Sequence, residues 1–428
     1  MSFYMTYAGR LSYAVGAFVA GVAANRHGRK YIFVAGGVVY IIGALVAAFT
    51  TNFVASSLGR VAGGFGIGMG LLVGPIYIAE TAPSTTRGYH GTFPQVLMAV
   101  GTITAYLLEL ALVRVPRHVA WRVMAGALTL PTGFFTYFVF SRWFSDTPCW
   151  LMMIGQVRLA EELMERCGAT GAEPWDRREQ LEHVAGFPYR SIVDPRRVDL
   201  FPGRITGFWA QVEDQFGSQV RDLCSTTVLL VAQEVTCEQM ALHLVPIILV
   251  RNGFGSLPSF SVVLMVLACA KLIATTASLH GVGRSMAGRR RLLLAGMGLA
   301  GCSLGLLAGT SFADAHERIG RGAAFVLLSF EIFALQAAIG IAVGPIPWMY
   351  GPELFPLAVR APSVGLCLTL KFLSTLLFNW ALGGFVLYST FDRVWLGFLI
   401  AFGLTVVSFL VSFRLARDTT CRVLVDDP

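Results

Sequence analysis

Gly344-Pro345-Ile346-Pro347-Trp348, followed by Glu353, Phe355, Pro356 and Arg360, closes a long apolar run late in this chain. A looser copy lies in the first half, where Pro75-Ile76-Tyr77-Ile78-Ala79-Glu80 closes another apolar run and Arg87-Gly88 follows. In both places the Glu and the Arg are seven residues apart. Upstream of each stands a basic cluster joining two apolar segments, Gly28-Arg29-Lys30 in one half and Gly288-Arg289-Arg290 in the other. A charge pattern repeated at the same place in two sets of apolar segments implies one helical bundle duplicated, as alternating-access carriers are commonly built.

The rest of the composition agrees. With 428 residues, 55% of them hydrophobic and 14% charged, and a mean hydropathy of +0.65, the chain is too apolar for a soluble protein of its size. Stretches long enough to span a bilayer, about 20 apolar residues each, number about eleven. They fall at 5–24, 31–49, 53–79, 91–113 and 121–140, then at 226–250, 260–279, 292–312, 323–343, 362–384 and 394–413. The predicted fold is therefore all-α and membrane-embedded, two helical bundles with a water-facing helical insert between them. Residues 1–141 form the first bundle, 142–224 the linker with short helices, and 225–428 the second bundle with a short tail. The first bundle is one helix short of the second. Because Gly28-Arg29-Lys30 should follow the second helix of its half, as Gly288-Arg289-Arg290 does, the shortfall falls on the first.

A net charge of +8 and a pI near 9.2 would suit a nucleic-acid binder, but the placement of the basic residues argues otherwise. Most of the 33 Lys and Arg lie in alternate loops, the linker and the tail, the positive-inside bias that orients a membrane protein. The excess charge is a topology signal, with attraction to anionic inner-leaflet lipid as a side effect. No nucleic-acid partner is expected. The 8 cysteines are scattered without a Cys-x-x-Cys pair, and the 7 histidines are spread too widely for a metal site. With no nucleophile elbow and no phosphate loop either, nothing points to an enzyme, a metal or a cofactor. Gly63, Gly64, Gly66, Gly68 and Gly70 do not keep dinucleotide-loop spacing and read as close helix packing in a bilayer.

These fragments resemble the sugar porter family of the major facilitator superfamily: its Gly-Pro-x-Pro-Trp element at 344–348 with the downstream Glu and Arg, and its Pro-x-Tyr-x-x-Glu and Arg-Gly elements at 75–88. The resemblance covers nearly the whole chain. It implies transport of a sugar or similar small polar solute by alternating access in the plasma membrane, with proton coupling left open. A carrier of a charged organic solute and a non-transporting sensor are the alternatives. It also implies an inner gate in which Glu80 and Arg87 pair with Arg289 or Arg290, and Glu353 and Arg360 with Arg29 or Lys30. Blurred family elements at 145–151 and 417–422 bear on the same gate.

Physics adds to the resemblance. Pro345 and Pro347 cannot donate backbone hydrogen bonds, which predicts a flexible or unwound stretch beside Trp348. Intramembrane polar groups are costly unless used, so Gln95, Gln233, Glu234, Gln239, Trp348, Lys371 and Phe372 are the candidate solute contacts. The amides match the resemblance, since Gln95 and Gln233 stand where sugar porters place sugar-contacting Gln. Glu234, Lys371 and Phe372 depart from it. Glu234 or Glu238 is expected to pair with Lys271 or Lys371, because each charge alone would be expensive at this depth. Glu109 and Glu331 are expected at the aqueous rim.

Overall fold

The computed structural model describes residues 2–82, 86–127, 129–141, 144–166, 205–236, 257–284, 288–388 and 394–416, together with 242, 245–246, 249–250 and 253. Its first half holds α1 (Ser2–His27), α2 (Arg29–Phe49), α3 (Phe53–Thr81), α4 (Arg87–Ala111), α5 (Arg117–Ala127) and α6 (Thr129–Phe140), followed by two short helices, α7 (Pro148–Met153) and α8 (Val157–Arg166). The second half holds α9 (Ile205–Val235), α10 (Leu257–Arg284), α11 (Arg289–Ala315), α12 (Arg321–Ala338) running through a π turn (Ile339–Val343) into α13 (Pro345–Leu354), then α14 (Leu357–Tyr388) and α15 (Val394–Leu415). Among the described residues nine helices are long and apolar enough to cross a membrane. Of the remaining predicted spans, 5–24 lies within α1, and 226–250 falls partly outside the described residues. The helix α9 starts at Ile205, inside the stretch read as linker.

Large apolar side chains point outward along the helices, among them Phe134, Phe140, Ile273 and Leu377. That is the surface a bilayer solvates, and in water it would aggregate. Inside the first half, glycines do what their spacing predicts: a Cβ on Gly66 would stand 2.4 Å from Gly36 O, and one on Gly43 would stand 2.4 Å from Gly63 N, so α2 and α3 pack backbone to backbone.

The halves meet chiefly along two helix pairs, α1 against α14 and α4 against α10, with α13 also packed on α3 and α4. A large apolar cluster crosses the boundary, with Ala17, Ala20, Ala24, Leu72 and Ile76 from the first half and Trp348, Phe355, Ala361 and Leu368 from the second. At the α1–α14 crossing, a Cβ on Gly21 would stand 2.9 Å from Ala361 O and 3.1 Å from Gly365 Cα. At a second contact between halves, one on Gly91 would meet Met349 Sδ at 2.1 Å. The end of the molecule carrying the basic clusters is therefore shut.

The double-proline segment is not unwound. Pro345 sits at the first turn of α13, and the amide of Gly344 donates to Ile339 O, five residues back, at 2.7 Å. The helix tolerates the missing proline donors by widening one turn, a π bulge, so the break is a register slip within a continuous helix.

Candidate functional site

At the closed end, Gly28 and Gly288 take φ of +88° and +78°, left-handed values that favour glycine and let the next helix start at once. Each is followed by an arginine turned inward. Arg29 is fully buried and donates from Nη2 to Glu80 Oε1 at 2.9 Å, and Arg289 pairs through Nη1 with Glu353 Oε2. The two halves thus repeat one ion pair. Glu80 takes two further donors, Arg360 Nη1 at 3.3 Å on Oε1 and Thr147 Oγ1 at 2.5 Å on Oε2. Arg360 comes from the other half, so Glu80 ties the bundles together. In the mirrored position Arg87 lies in the field of Glu353 across the boundary.

This wiring differs from the expected one. Arg29 and Arg289 pair within their own halves, and the residues that cross are Arg87 and Arg360. The cause is which helix each opens. Arg87 and Arg360 begin α4 and α14, the helices that form the contact between halves, whereas Arg29 and Arg289 begin α2 and α11. Arg29, Arg87 and Arg360 each also donate to the carbonyl five residues back, Ala24 O at 3.2 Å, Ala82 O at 3.4 Å and Phe355 O at 3.1 Å, closing the end of the preceding helix.

Lys30 and Arg290 do not join this network. Lys30 Nζ donates to Ser141 O at 3.1 Å and Phe144 O at 2.6 Å, beyond the last turn of α6. Arg290 Nη2 donates to Phe413 O at 2.6 Å near the end of α15 and lies over the Phe413 ring at 5.2 Å. Each caps the final helix of its own bundle, a favourable place for a cation. Asp146 completes the gate of the first half, its Oδ1 accepting from the amides of Arg29 at 2.7 Å and Lys30 at 3.1 Å. Burial raises its carboxyl above the ordinary range, against the pull of those two amides and of the Arg29 charge. The neighbouring Cys149 thiol is pushed up to about 12, first by burial and then by the Glu80 charge. The matching element at 417–422 lies outside the described residues.

Further into the membrane lies a second cluster. Lys371, midway along the 32-residue α14, donates from Nζ to Glu234 Oε1 at 2.7 Å. The same ammonium lies 5.0 Å from the centre of the Trp348 ring and 5.1 Å from that of Phe372. Trp348 Nε1 donates to Gln233 Oε1 at 3.0 Å. From the first half, Tyr13 packs edge-on against Phe372 at 5.8 Å, and buried Gln95 reaches the π turn, its Oε1 standing 3.5 Å from where a Gly344 Cβ would be. Six of the seven candidate solute contacts therefore gather around the boundary between halves, and Gln239 lies outside the described residues. Glu331 is not at the rim. It is buried and accepts from Thr310 Oγ1 at 2.7 Å, because α12 turns it against α11.

Comparison with known proteins follows the same lines. The sequence profile of the family described as "Sugar (and other) transporter" matches residues 4–421. Polyol transporter 5 of Arabidopsis thaliana is 25% identical over 358 residues, 81% of this chain and 64% of that protein. Sugar transport protein MST7 of Oryza sativa subsp. japonica is 25% identical over 353 residues, 79% of this chain and 64% of that protein. The chain thus spans just under two-thirds of the length of either relative. Among solved structures, the major facilitator superfamily proton:xylose symporter XylE bound to 6-bromo-6-deoxy-D-glucose superposes with a TM-score of 0.78 at 18% identity, covering 98% of this chain and 87% of that one. The inward-open form of XylE from E. coli superposes at 0.67 with 17% identity over 98% and 87% of the two chains.

Proposed function

The chain belongs to the sugar (and other) transporter family, and from that premise we propose that it carries a sugar or polyol across the plasma membrane by alternating access. It is a multi-pass membrane transporter, not an enzyme. In this reading Gln95, Gln233, Glu234, Gln239, Trp348, Lys371 and Phe372 form the solute site, and Glu80, Arg87, Glu353 and Arg360 with Arg29 and Arg289 form the inner gate. The polyol transporters and the sugar transport protein among its relatives support the solute class.

The observation that carries the reading is the contact of Arg360 with Glu80 across the boundary, with Arg87 in the electrostatic field of Glu353 in the mirrored place. Contacts of this kind exist only while the inner end is shut, so they shift the balance of inward and outward states by a few kcal/mol without fixing it. Uptake of radiolabelled hexoses and polyols into a transport-deficient host, at acidic and neutral external pH, tests the proposal. Saturable uptake above the empty-vector control is expected, and a rise at acidic pH is the signature of proton coupling. Folded protein that moves nothing in such a panel, carboxylated members included, would overturn it.

A further inference from the structure

We propose that the solute carries a carboxylate: the site takes an acidic polyol or sugar, a polyhydroxylated monocarboxylate that replaces Glu234 as the partner of Lys371. The inference rests on reading Gln95, Gln233, Trp348 and Lys371 as part of the solute site. Lys371 Nζ holds two positions at once, hydrogen-bonded to Glu234 Oε1 at 2.7 Å and lying over the Trp348 and Phe372 rings at 5.0 and 5.1 Å. An ammonium thus covers the aromatic faces on which the C–H face of a sugar would stack.

A neutral sugar must displace that ammonium while offering it nothing better than the carboxylate it already has. A solute carboxylate offers the same charge-assisted hydrogen bond that Lys371 gives up. It draws Nζ off the rings, frees the indole face for the polyol backbone, and leaves the Gln233 and Gln95 amides to face hydroxyls as donors and acceptors. Exposure decides which member of the pair lets go. The Glu234 side chain is 17% exposed and that of Lys371 7%, so the carboxylate is the more exposed member of the pair.

Charge balance then sets the stoichiometry. Of the helices packed on α9, α13 brings Glu353, α14 brings Arg360 and Lys371, and α15 brings Arg414 at its inner end. Glu353 and Arg360 are engaged at the gate, and Lys371 is the ion-pair partner of Glu234 among the described residues. When the solute carboxylate takes Lys371, one proton bound on the Glu234 carboxylate restores neutrality. One hydrogen bond from Nζ to Oε1 breaks, one O–H bond forms on Glu234, and the incoming anion and proton together carry no net charge.

The test uses the full chain in proteoliposomes with labelled D-gluconate and D-galacturonate against labelled sorbitol and D-glucose. At least a tenfold preference for the acids is expected, driven by an inwardly directed proton gradient and producing no transport current on a supported membrane. Lys371→Asn should erase that preference by tenfold or more. Glu234→Gln should lose gluconate accumulation under a proton gradient, and Glu234→Asp, which keeps a carboxylate there, should retain it, an outcome that misfolding would not give. Uptake of sorbitol or glucose with the acids ignored, or acid uptake indifferent to Lys371→Asn in a protein that elutes as a single species, overturns this proposal and leaves the carrier reading standing. Absence of uptake for every solute in the panel overturns both.

Discussion

Glu80 concentrates the chemistry of the inner end in one carboxylate. Its side chain is fully buried and accepts from Arg29, Arg360 and Thr147, so Glu80→Gln leaves two buried guanidinium groups short of an anion. Removing one partner of such a set costs about 3–5 kcal/mol, and the loss falls mainly on the shut state. The expected result is a lower melting temperature together with faster labelling of cysteines placed along the inner crevice. Lys30→Gln is the contrasting case. Lys30 caps α6 and takes no part in the contact between halves, so a loss of about 0.3–1 kcal/mol with unchanged labelling is expected from the same two measurements. The sequence set Lys30 beside Arg29 as an equal. Side-chain direction separates them, and direction at a helix start depends on which element packs overhead, which no spacing rule supplies. The glutamates were legible because each is a lone acid closing an apolar run. Asp146 and Thr147 were legible only as a blurred motif, since their work is to meet backbone amides and a carboxylate far away in sequence.

At the scale of elements, α7 is a small lid held against the inner ends of α1 and α3, with Trp150 Nε1 donating to Asn25 O at 2.9 Å and Cys149 lying against Glu80 O at 3.5 Å. A thiol raised to about 12 is almost wholly protonated at neutral pH, and the thiolate is the reactive form. Maleimide labelling of Cys149 at pH 7.5 should therefore be slow in the resting protein. It should speed up at least tenfold in Glu80→Gln, which removes both the cover and the neighbouring charge; equal rates in the two proteins would count against α7 as part of the gate. The π turn before α13 offers a second test. Pro345→Ala restores a donor and lets the helix return to α geometry, which should stiffen the segment carrying Trp348. A several-fold drop in maximal uptake rate with little change in half-saturation is expected in a concentration series. Helix positions followed directly from apolar run length. The π turn did not, because prolines announce a lost donor without saying whether the chain unwinds or slips register to compensate.

Over the whole molecule, two bundles meet chiefly along α1–α14 and α4–α10, and their repeated ion pairs are local to each bundle while a large apolar cluster is shared. The repeat was readable from charge spacing, since duplication preserves which residue types stand at each helix end. The partners across the boundary were not, because duplication says nothing about how two copies dock. Docking at the inner end relies on Gly21 and Gly365, where backbone meets backbone and a Cβ on Gly365 would stand 3.0 Å from Gly21 Cα and 3.1 Å from Ala17 O. Gly21→Leu or Gly365→Leu should hold the inner ends apart, seen as a longer spin-label distance between α1 and α14 and a sharp loss of net uptake. The crossing also has an energetic signature. Either leucine alone pries the same two backbones apart, so the second meets a gap already made, and a double-mutant cycle should return a large coupling energy between two residues that have no side chains to interact.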